Sequence, residues 1–149
     1  MKLISLVLLM ALTSLASAEQ ANSGHQCAPD GIALGGYDAV SYHQGERPKG
    51  GDPAFSAEVA GLTYQFISED NLATFEASPE KYLPVYQGWC AATLSMGQLT
   101  CPDYTNFKIE NGRLLLFELA GFTNGRSLWN SDPEGFRQRA DSNFEKLVH

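Results

Sequence analysis

Cys90 is the residue of this chain whose type and setting could do the most chemistry. It lies in Tyr86-Gln87-Gly88-Trp89-Cys90-Ala91-Ala92. Small residues on both sides allow close backbone approach, and Trp89 supplies a large apolar surface. Two readings follow: a small buried hydrophobe, as most free cysteines are, or a soft ligand or reactive thiol. Met96 comes six residues later. A thiolate and a thioether, completed by an imidazole such as His43, form the ligand set that suits Cu(I). Met96 could equally fill a core gap. No Lys, Arg or His stands near Cys90 in sequence, which counts against a thiol of lowered pKa.

The other two cysteines have a different setting. Cys27-Ala28-Pro29-Asp30 and Cys101-Pro102-Asp103 both read as polar loops. Three cysteines allow three pairings. Loop cysteines in an oxidising space are usually bonded, so we pair Cys27 with Cys101 and leave Cys90 free.

The compartment follows from the start of the chain. Met1-Lys2 is a short basic beginning, and Leu3 to Leu12 is an apolar run too short for a stable membrane span. Ala16-Ser17-Ala18 gives the small-x-small pattern of a cleaved signal peptide. The expectation is a periplasmic or secreted protein cleaved after Ala18, without membrane insertion afterwards. Residues 19–30 read as an extended arm and 31–149 as one domain.

Composition narrows the function classes. The 149 residues carry 10 Lys+Arg against 17 Asp+Glu, a formal charge of -7. Phosphate binding needs a basic patch, and the basic residues here are scattered, so nucleic acid is excluded as a partner. The three histidines are His25, His43 and His149. The sequence has no Gly-x-Ser-x-Gly, His-Glu-x-x-His, phosphate loop, dinucleotide fingerprint or Cys-x-x-Cys. No catalytic residue is assigned, and the chain does not read as an enzyme.

The elements that must position these residues are short. Phe55, Ala57 and Val59 alternate, Ala60-Gly61 turns, and Leu62, Tyr64 and Phe66 alternate again, which predicts a β-hairpin. Ser68 is placed to cap a helix running to about Ala77, with Glu69 and Asp70 in its first turn. Ser78-Pro79 begins a second helical turn. Asn111-Gly112 predicts a tight hairpin between strands at 107–109 and 113–117. Asp132-Pro133 starts a last helix whose Phe136, Ala140, Phe144 and Leu147 form one apolar stripe. No internal repeat is visible. The fold class is α+β: a small single domain of antiparallel β-hairpins packed with short helices and a C-terminal helix. Tyr37, Tyr42, Tyr64 and Trp89 could line a pocket, though such aromatics are more often core.

The stretch Gly36-Tyr37-Asp38-Ala39-Val40-Ser41-Tyr42 resembles the opening of secreted YHS-domain proteins. The resemblance continues through Phe55-Ser56-Ala57-Glu58, Tyr64 to Asn71, Phe75 to Tyr82, and Gly88-Trp89-Cys90-Ala91, and spans roughly residues 30 to 148. YHS domains are suspected of binding metal, copper among the candidates, through a cysteine, and the resemblance places that role on Cys90. The family's usual second cysteine nearby is not evident. Cys27 and Cys101 look like additions to the common pattern, which supports reading them as a structural pair.

The leading expectation is a small metal-handling protein using the single thiolate of Cys90, with Met96 or His43, copper being the cofactor and a homodimer or periplasmic protein its partner. One alternative is a thiol-reactive redox protein. Another is a non-catalytic ligand-pocket or interaction domain in which Cys90 only packs.

Overall fold

The computed structural model describes residues 27–148. The expected signal peptide, residues 19–26 of the expected arm, His25 and His149 lie outside these residues. The described part is a small α+β domain of antiparallel two-stranded sheets and short helices, closed by a long C-terminal helix.

Strand β1 (Asp52–Val59) pairs antiparallel with β2 (Leu62–Phe66). Helix α1 (Glu69–Ala77) follows at once, and the Ser68 side chain accepts the Asn71 N–H as its N-terminal cap. Helix α2 (Pro79–Tyr82) carries its proline at the start, where no N–H is needed. A five-residue helix α3 (Ala91–Ser95) precedes the second hairpin, β3 (Asp103–Glu110) with β4 (Arg113–Phe117). Its turn residues Asn111 and Gly112 both have positive φ, at 53° and 75°. A minimal hairpin, β5 (Leu119–Ala120) and β6 (Thr123–Asn124), leads into α4 (Gly125–Ser131) and α5 (Pro133–Val148). The Asp132 carboxylate accepts the Gly135 N–H and thereby caps α5.

The sequence shows no internal repeat, yet in the fold one arrangement of turn and hairpin occurs twice, and each occurrence with the helices that follow it is here called a unit. Each unit begins with a 3-10 turn, Ala33–Gly36 in one and Val85–Gly88 in the other. Each turn holds two successive left-handed residues, Leu34 and Gly35 in the first, Tyr86 and Gln87 in the second. Each is preceded by a parallel bridge to the second strand of its own hairpin, Ile32 to Thr63 and Pro84 to Leu114. The hairpin registers coincide: Asp52 faces Phe66 and Ser56 faces Gln65, while Asp103 faces Phe117 and Phe107 faces Leu116. Both first strands bulge at the same place. Asp52 and Asp103 each accept the N–H two residues on, from Ala54 and Thr105, both at 2.8 Å.

The units meet on β4. Leu114 and Leu116 point into a core with Tyr42, Phe66, Phe75 and Phe107. Leu115 and Phe117 point into a second core with Cys90, Leu94, Trp129 and Phe136. A strand buried on both faces reads as an unbroken apolar run, and Leu114-Leu115-Leu116-Phe117 is one. The stripe expected on α5 is covered at Phe136 and Ala140 but not at its end: Leu147 is 47% exposed. Among the described residues, no helix is long and apolar enough to cross a membrane.

Candidate functional site around Cys90

Cys90 caps the N-terminus of α3 with extended backbone. It has no exposed surface. Its N–H donates to the Thr100 carbonyl at 3.0 Å, and its own carbonyl accepts the Leu94 N–H, the first bond of the helix. Its sulfur accepts the Glu118 N–H at 3.1 Å. The residue therefore holds together three segments: the start of α3, the loop before β3, and the chain just past β4.

The first unit explains why a side chain is needed there. Asp38 follows its left-handed turn as Cys90 follows the other, and it too is fully buried. One carboxylate oxygen accepts the N–H of Val40 at 2.8 Å and of Ser41 at 3.2 Å. The other accepts the Ile67 N–H at 2.9 Å and the Asn71 amide at 2.7 Å. Ile67 is the residue just past β2, as Glu118 is just past β4. Asp38 and Cys90 thus do the same job, accepting the first backbone N–H after the hairpin. A buried carboxylate without a cation is costly unless its lone pairs are filled, and four donors fill them here. Sequence reasoning missed this network. Its one legible sign was an Asp just ahead of a short helical turn, where the side chain accepts backbone N–H groups two and three residues on.

The expected ligands occupy different parts of the molecule. Met96 ends α3, opposite Cys90, and is 54% exposed. His43 belongs to the first unit and meets the Tyr82 ring edge-on, with centroids 5.2 Å apart. Its Nε2 is buried without a hydrogen-bond partner. Burial, aided by the Lys81 ammonium, lowers its pKa. Among the described residues, no three His, Cys, Asp or Glu side chains gather in a way that could hold a metal ion.

The expected disulfide is present. Cys27 and Cys101 are bonded, with Cα atoms 5.2 Å apart and a sequence separation of 74. The Tyr104 hydroxyl donates to the Cys27 carbonyl, giving the arm a second attachment. Such a bond suits an oxidising compartment. Tyr42, Tyr64 and Trp89 are core residues rather than pocket walls. An open cleft of about 430 Å³ lies elsewhere, between the second left-handed turn and α5, lined in part by Tyr86, Arg113, Asp141 and Phe144. The Tyr86 hydroxyl donates to the Asp141 carboxylate at 2.8 Å. Burial, with that bond, raises the phenol pKa well above its usual value.

Glu110 organises a further polar cluster on the second unit. It accepts from Lys108 and Trp129 and pairs with Arg137. Burial pushes its carboxyl up, but the hydrogen bonds from these three groups outweigh burial and hold its pKa below the usual carboxylate value. No protein-family model, no curated protein and no solved structure matches this chain.

Proposed function

We propose that this protein is a secreted, non-catalytic binding domain of the YHS kind, in which Cys90 is part of the scaffold rather than the reacting group. The observation that carries this reading is the sulfur's place: enclosed, accepting the Glu118 N–H, where the first unit uses the Asp38 carboxylate. A group already committed to a backbone N–H and shut off from solvent is poorly placed to meet a metal or a second thiol. The competing reading is the copper-type site at Cys90 with Met96 or His43.

Two measurements on the disulfide-intact protein separate the readings. The first is the rate at which Cys90 reacts with an aromatic disulfide reagent at neutral pH. The second is Cu(I) competition against a chelator, for the native chain and for Cys90→Ala. Our reading expects labelling far slower than a free thiol and gated by unfolding, with Cu(I) affinities of the two proteins alike. Stoichiometric Cu(I) binding that disappears in a folded Cys90→Ala would establish the metal reading. Rapid labelling of the folded protein would establish a thiol-reactive one.

A further inference from the structure

The exposed large apolar side chains among the described residues are Met96, Leu99, Leu119, Phe122 and Leu147. All five belong to the second unit, and the hydrogen bonds of the site draw them together. Cys90 joins Thr100, beside Leu99, to Glu118, beside Leu119. Phe122 tops the β5–β6 hairpin that begins at Leu119, and its side chain is fully in solvent. The Asn143 amide donates to the carbonyls of Leu94 and Ser95, which fastens α5 to the end of α3 that Met96 follows, and Leu147 lies one turn further along α5.

Charge divides the molecule the same way. Residues 31–83 carry eight Asp+Glu against three Lys+Arg, whereas residues 84–149 carry seven against six. The acidity lies in the first unit, and the apolar side chains lie on the nearly neutral one. The α5 stripe is covered at Phe136 and Ala140 but emerges at Leu147, so an apolar surface continues outward from the chain's own core.

We propose that this face of the second unit, formed by Met96, Leu99, Leu119, Phe122 and Leu147, docks against the same face of a second copy of the chain. A two-fold pairing is self-complementary, apolar on apolar. It joins the near-neutral units and keeps the acidic ones apart, so like charges add little repulsion. The five side chains expose on the order of 500 Å², the upper range for monomers and less than the ~800 Å² per partner of a standard interface. The dimer is therefore a reversible one.

Sedimentation equilibrium of the disulfide-intact protein from about 5 to 500 μM tests this, together with thermal melts. The average mass is expected to climb from one chain toward two, and 0.5 M NaCl should not weaken the association. Leu119→Glu/Phe122→Glu, and separately Met96→Glu/Leu147→Glu, should raise the dissociation constant at least tenfold with melting unchanged at low concentration. Ala73→Glu/Ala77→Glu, which adds the same charge on exposed positions of α1, should not. A protein that stays monomeric throughout overturns the proposal. So does a dimer that survives both apolar-face variants, or one that the α1 variant weakens equally.

Discussion

Replacing Asp38 by alanine should be among the most damaging single changes in this protein, and the cost can be worked from its four donors. Ser41 keeps an acceptor, because its N–H also reaches the Asp38 main-chain carbonyl at 3.0 Å. The Val40 and Ile67 N–H groups, held at 2.8 and 2.9 Å, lose theirs. An orphaned buried donor costs about 1–3 kcal/mol, so two of them cost about 4 kcal/mol. The Asn71 amide adds to this unless it swings to water. For a domain of this size, 1 kcal/mol moves the melting point by about 3–5 °C, so the expected fall is ~15 °C. Asp38→Asn keeps one carbonyl oxygen and should lose about half as much. Urea unfolding with the disulfide intact, at unchanged slope, reads the differences directly. A loss below about 1 kcal/mol for Asp38→Ala would show that these donors find water in the folded state. The shared role of Asp38 and Cys90 would then be wrong.

Other outcomes follow from the same structure. Cys90→Ala removes a buried sulfur and the acceptor of one N–H, and should cost about 2 kcal/mol by the same urea measurement. His43 has a lowered pKa when folded, so the unfolded chain takes up its proton first. Stability should fall as pH drops from about 6.5 toward that lower value, and His43→Phe should flatten the slope of urea midpoint against pH there. Glu110 also has a lowered pKa, so its stabilising contribution is complete above about pH 4.5 and fades on further acidification. Glu110→Gln should make the acid limb of a pH–stability curve shallower. Breaking the Cys27–Cys101 bond by the double serine substitution should cost at most about 4.5 kcal/mol, the chain-entropy value for a ring of this size.

The hairpins were legible because their turn chemistry is local. Asn111-Gly112 needs no knowledge of the rest of the chain to be read as a turn, nor does Ser68 as a cap. Helix α3 was not legible. Every residue from Ala91 to Ser95 is buried, so it has no polar face and no period to detect. Helix α4 opens on a glycine and is fastened by the Asn124 side chain, which accepts the Arg126 and Ser127 N–H groups. The repeat escaped notice because its two copies share little beyond such pairs as Gly36 and Gly88, Asp52 and Asp103, and Phe66 and Phe117. Backbone bonds repeat while most side chains do not. The same gap hid the partner of Cys90: its burial was one of two readings of a cysteine among alanines, but a main-chain N–H 28 residues away leaves no mark in sequence.

The Cys27–Cys101 bond has a mechanical consequence. It closes a covalent ring that contains the whole first unit and α3. Tension applied at the two ends of the chain would run through the sulfur atoms and bypass β1, β2 and α1, leaving them unloaded. Past the ring, the segment beyond Cys101 could be drawn out to ~160 Å when fully extended. A pulling experiment should show that short extension in the oxidised protein and a much longer one after reduction, with β3, β4 and the two last helices yielding first.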